Sequence, residues 1–231
     1  LLYVSPTVFL FIPVLSNLSS RSEFLIKISS KSASCPWFDI SSKNAGSEEK
    51  LALNPAGDPI SNQTDDITFN NDGTKLFAIS DNGAMNIHIL STPYDISDAT
   101  LVADDGINWR TYKEPWGSSN TTMLPQTIRF NNDGTKMYLS EALINTTDPQ
   151  ESVGVVQYNL ATPFVPSSTT TVQVLNLRAQ FPKTNIAIHA MNFDDDGTRM
   201  YVSAGNFNAE TDHPHAVYEL SMPFEISSAK H

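Results

Sequence analysis

Three polar residues recur at one place in this chain. Asp65, Gln126 and His189 each stand four residues ahead of a phenylalanine that opens a near-identical heptapeptide. A carboxylate, an amide and an imidazole supply different mixtures of donor and acceptor. Three of them at one repeated position suit a shared polar ligand, provided the fold turns them the same way; the alternative is ordinary polar strand ends. A second group lies in "TDHPH", where Asp212, His213 and His215 combine a carboxylate with a His-x-His pair. Such donors can hold a transition metal, but a solvated loop is the favoured reading of them. The third is "WRTYKEPW", with Trp109, Tyr112 and Trp116. Exposed aromatic rings with a polar edge stack on sugars, and covered ones pack over a sheet edge. "NFDDDG" at 192–197 imitates the start of a calcium loop, but its twelfth position is Ser203 rather than Glu and its sister copies lack the pattern. It reads as a hairpin turn instead. A divalent cation is the one cofactor these residues would call for.

No other constellation offers chemistry. The nucleophile elbow G-x-S-x-G, the zinc motif H-E-x-x-H, a phosphate-binding glycine loop and a dinucleotide fingerprint are all missing. The single cysteine, Cys35, excludes an intrachain disulfide and a cysteine-based zinc site. A net charge of −11 argues against nucleic acid, which requires clustered Lys and Arg. That acid is concentrated in residues 51–231 and reads as a solvated surface. Four glycosylation sequons begin at Asn17, Asn62, Asn120 and Asn145, and matter only in a eukaryotic secretory pathway.

The heptapeptide shows which elements must position these residues. "FNNDGTK" runs from Phe69 to Lys75 and again from Phe130 to Lys136, and "FDDDGTR" from Phe193 to Arg199, at steps of 61 and 63 residues. The likeness extends beyond it. "LFAIS", "MYLSE" and "MYVSA" follow, then "NIHILS", "VVQYNL" and "AVYELS", then "TPYDIS", "TPFVPS" and "MPFEIS". Short runs of β-branched and aromatic residues bounded by turn residues predict four strands per repeat. N-D-G and D-D-G mark the turn between the first two, with Gly73, Gly134 and Gly197 free to take positive φ. Phe69, Phe130 and Phe193 then anchor each hairpin. No helical stripe of useful length appears.

Four antiparallel strands per repeat without a helix predict an all-β chain of propeller blades. The order of strand, DG turn, "LYV"-type strand and "VYxYxL"-type strand resembles bacterial propeller repeats of the WD40-like Tol-system and YVTN surface-layer types. The resemblance covers 65–103, 126–175 and 189–228. It implies a fold shared by scaffolds, receptors and enzymes. In such a fold the innermost strand lines a central channel, which would bring Asp65, Gln126 and His189 to one axial site.

Residues 1–53 match a blade without its first strand: "LLYVSPT", "FLIKIS", "CPWFDIS" and "EKLAL" follow the order of the later repeats. A degenerate signal or anchor is the competing reading of the apolar start, which is too short for a membrane span and carries Pro6 and Pro13. After "MPFEISSAKH" a fourth strand is expected to be missing. The expectation is therefore an open arc of two complete and two partial blades, able to self-associate through open edges. The functional expectation is a non-enzymatic protein- or carbohydrate-binding or scaffold module of a larger secreted or cell-surface protein. The alternative is a metal-dependent, lactonase-like hydrolase.

Overall fold

The computed structural model describes residues 64–80, 83–102, 109, 122–144, 153–177, 179–181, 186–206 and 214–231. They form three open, four-stranded antiparallel sheets, each a meander in which neighbours in sequence are neighbours in space. The first contains β1 (Asp66–Phe69), β2 (Lys75–Ile79), β3 (Met85–Ile89) and β4 (Thr100–Val102). The second contains β5 (Thr122–Phe130), β6 (Lys136–Ile144), β7 (Val153–Leu160) and β8 (Thr169–Asn176). The third contains β9 (Ile186–Phe193), β10 (Arg199–Asn206), β11 (His215–Leu220) and β12 (Ala229–Lys230). The third sheet corrects one expectation, because its fourth strand is present. A 3-10 turn over Ile226–Ser228 returns the chain so that Ala229 pairs with Leu220 and Lys230 with Glu219. The partial repeat expected over 1–53 lies outside the described residues.

The repeated heptapeptide closes the β1–β2, β5–β6 and β9–β10 hairpins by one scheme. Asn70, Asn131 and Asp194 each accept, through Oδ1, the backbone N–H five residues on, at 2.9, 2.8 and 2.9 Å. Asp72, Asp133 and Asp196 accept the Thr amide two residues on, at 3.0, 2.9 and 3.1 Å, together with its hydroxyl. These are side-chain turns of the type that makes Asn and Asp frequent at chain reversals. The glycines have φ of +72°, +73° and +70°, values a Cβ disfavours.

A second device was not foreseen. Tyr94, Phe164 and Phe224 follow the proline of each third-to-fourth-strand connection, and all three hold the left-handed conformation, with φ of 62°, 55° and 57°. Bulky residues rarely do so. Their amides donate to the carbonyls of Gly73, Gly134 and Gly197 at 2.9, 2.9 and 2.8 Å. Their rings lie over those glycines, where a Cβ would overlap the ring atoms. Each ring also meets the anchor phenylalanine of its own sheet: Phe69–Tyr94 at 5.3 Å, Phe130–Phe164 at 5.3 Å and Phe193–Phe224 at 5.5 Å. The glycine is thus required twice, for its φ and for the space it leaves.

Consecutive sheets pack face to face, with β5 against β1 and β2, and β9 against β5, β6 and β7. The first core joins Phe77, Ile79, Met85 and Trp109 to Ile128, Met137, Leu139, Val156 and Tyr158. The next joins Tyr138, Val153, Val155, Leu177 and Phe181 to Ile186, Ile188, Met191, Met200, Val202 and Tyr218. Strand alternation accounts for both. Along β6, Met137 and Leu139 face the first sheet while Tyr138 faces the third, so the middle sheet is apolar on both sides.

Candidate functional site

Asp65, Gln126 and His189 occupy one structural position. Thr127 pairs with Ser140 and Pro125 with Glu141, so Gln126 is an extra residue in β5. Ala190 pairs with Ser203 and Ile188 with Ala204, so His189 is the extra residue in β9. Both are β-bulges, which insert an extra residue into one strand of the ladder and re-aim its side chain. Asp65 stands at the matching point, just before β1, with its amide donating to the Ile79 carbonyl at 2.9 Å. Asp65 and Gln126 are half-buried and His189 is exposed. The three strands concerned are consecutive neighbours, with β5 packed against β1 on one side and β9 on the other. The residues therefore form a row at one register position of the three first strands, just before β1 and within β5 and β9, four residues ahead of the anchor phenylalanines.

A charged contact supports this row. Asp66, the next residue, is buried, and its Oδ2 accepts the Ile128 amide of the adjacent sheet at 3.0 Å and pairs with the Arg129 guanidinium. Burial pushes its carboxyl above the ordinary carboxylate range, against the opposing pull of Arg129 and the Ile128 amide. On the other side, Thr127 donates to Ser140 Oγ at 2.8 Å, and Ser140 donates to the Ile188 carbonyl at 3.0 Å. Polar links on both flanks fix the backbone on which the row is mounted. The Asp65–Asp66 dipeptide did not betray this division of labour, since the sequence cannot say which carboxylate turns inward. The bulges left no mark either, because one extra residue merely shifts the phase of an alternating pattern.

The aromatic candidates divide differently. Trp109 is fully buried, with its ring edge-on to Tyr158 at 5.1 Å and its amide donating to the Gly83 carbonyl at 2.8 Å. It packs between the first two sheets and offers no exposed stacking face. Tyr112 and Trp116 lie outside the described residues. So do Asp212 and His213, while His215 is exposed at the start of β11, opposite Ser203. Among the described residues no cluster of three or more His, Cys, Asp or Glu is placed to hold a metal ion. The calcium-like "NFDDDG" is a turn: Asp194 and Asp196 accept from Arg199 and Thr198 as their counterparts do.

Contacts between sheets repeat as well. Phe77 meets Phe130 at 4.6 Å and Tyr138 meets Phe193 at 4.5 Å, at equivalent positions. Lys75 donates to the Phe164 carbonyl at 3.4 Å. Lys136 pairs with Glu225 at 2.7 Å, and the Tyr138 hydroxyl donates to the Phe224 carbonyl at 2.6 Å. Gln157 Oε1 accepts the Ile226 amide at 3.0 Å. Burial opposes ionisation of Glu225, but hydrogen bonds from Lys136 and Gln157 outweigh it and hold the carboxyl below its usual range. Burial pushes the Tyr138 and Tyr218 hydroxyls upward, the latter to about 12. No helix among the described residues is long and apolar enough to cross a membrane. No protein-family model matches the chain, and no curated protein is detectably similar to it.

Proposed function

We propose that the chain is a non-enzymatic binding or scaffold module of a larger secreted or cell-surface protein. Its sheets are read as consecutive blades of a propeller-like arc similar to the WD40-like and YVTN repeats, and its ligand contacts run along Asp65, Gln126 and His189. The observation that supports this reading is the matched bulge. The second and third sheets each insert a bulged polar residue at one register position of the first strand, and the first sheet has a polar residue at the equivalent point. A bulge retained at one position re-aims the same side chain each time. A row of carboxylate, amide and imidazole suits a ligand with several hydroxyl or amide groups, such as an oligosaccharide or an extended peptide. The test is to probe glycan and peptide arrays with the labelled full chain and to titrate the best binder into Gln126→Ala and His189→Ala. The reading expects each substitution to weaken binding at least tenfold. Unchanged affinity in both variants removes the row from the site. Turnover of a lactone panel on addition of Ca²⁺ or Zn²⁺ overturns the non-enzymatic assignment.

A further inference from the structure

Two internal interfaces share a register that a third surface repeats without a partner. The face of the first sheet bearing Phe77 receives Phe130, and the face of the second bearing Tyr138 receives Phe193. In both, the basic residue two positions earlier, Lys75 or Lys136, reaches the third-to-fourth-strand connection of the next sheet. The third sheet carries Arg199 and Tyr201 at these two positions. On this face Tyr201 is 41% exposed and its cross-strand partner Val217 is 47% exposed. Arg199 and Glu219, also exposed, pair across the same strands.

We infer that this face of β10 and β11 docks a further four-stranded sheet of the same repeat, presented by a partner. The occupant is specified by what the two internal interfaces use. A first-strand phenylalanine meets the Tyr201 ring, as Phe193 meets Tyr138. A carbonyl at the left-handed aromatic residue of its connection accepts the Tyr201 hydroxyl, as Phe224 does from Tyr138. An acidic residue after it, equivalent to Glu225, pairs with Arg199. Continuity with these interfaces selects a repeat sheet over an unrelated surface. A second copy docking head to tail is disfavoured by the opposite face of the first sheet. There Ile67, Leu76, Ala78 and Leu90 are already buried and present no open counterpart. This inference is independent of whether the row of Asp65, Gln126 and His189 takes a ligand.

The test places a thiol on the face, as Val217→Cys in a full chain also carrying Cys35→Ser. Its labelling rate is compared with that of the same chain extended after His231 by a second copy of residues 122–181. A separate extension uses a copy of 186–231, so that a folding failure of one leaves the other to decide. The expected result is rapid labelling in the unextended chain and at least tenfold slower labelling in an extended one. Adding Tyr201→Asp should restore the fast rate, and a control thiol at exposed Met222 should label equally fast throughout. Fast labelling of Val217→Cys in both extended chains overturns the inference. So does slow labelling of the unextended chain at twice the monomer mass, which would make a second copy the occupant.

Discussion

Gly134 carries two constraints that a substitution separates. Any side chain there must tolerate φ of +73°, and a Cβ must also displace the Phe164 ring. Gly134→Ala is expected to cost about 1–3 kcal/mol and Gly134→Val more, measured by urea unfolding. Phe164→Ala in the Gly134→Ala background should recover part of that loss, since it removes the overlap and leaves only the φ term. A fully additive double mutant would show that the ring is not what the Cβ meets. The turn carboxylates predict a pH response. Hydrogen bonds from Thr74, Thr135 and Thr198 hold Asp72, Asp133 and Asp196 below the ordinary range. A depressed folded pKa stabilises above the unfolded value, near ~3.9, and that stabilisation is lost as pH falls through the folded value. Asp66 has the opposite sign: its raised pKa removes stability as pH climbs above ~3.9. Carbon-detected titration should give a midpoint for Asp133 below ~3.9, and Asp133→Asn should flatten the acid limb of the melting curve. The glycine, asparagine and aspartate roles were legible because turn chemistry is local. The partner of Gly134 was not, because the gap to the aromatic residue changes between repeats, from Gly73–Tyr94 to Gly134–Phe164, and so hides the pairing.

Of the twelve strands among the described residues, eleven were legible as elements, since each is a short apolar or alternating run between turn residues. The beginnings of β5 and β9 were not: both strands start before Gln126 and His189, and the bulges break the alternation that would have revealed it. The third sheet's two-residue β12 also escaped, because "AK" carries no strand signal of its own and is placed by the turn before it. Between elements, Lys136, Gln157 and Glu225 tie the second sheet to the connection in the third. Glu225→Gln is expected to lose about 0.5–1.5 kcal/mol. Hydrogen exchange should show faster opening in β9 to β12 with β1 to β4 unchanged. Equal acceleration in all three sheets would mean that this contact does not hold one interface in particular.

At the scale of the molecule the all-β class was readable from the recurring heptapeptide, whereas the facing of successive sheets was not. Alternation says that β6 has two apolar sides, but not which neighbour each side meets. The middle sheet belongs to both cores, so Leu139→Ala should cost about 2–5 kcal/mol and lower the transition of the whole described body. Met200→Ala lies in the third sheet, which among these two cores belongs to the second alone, and should open that sheet first. Exchange mass spectrometry with near-ultraviolet circular dichroism separates the two patterns. A single simultaneous transition in both variants would show that the sheets do not melt as separable units.

The paired glycine and aromatic residue close one end of every sheet, and this dictates where the chain can change length. At that end the heptapeptide keeps its seven residues in all three repeats. At the other, the stretch between second and third strands runs over 80–84, 145–152 and 207–214, with no common sequence. The buckled end is constant among the three repeats, and the far end is where they differ in length. Insertions there leave the hairpin-turn hydrogen bonds at the opposite end intact, so the chain can lengthen at one end of each sheet without disturbing the other.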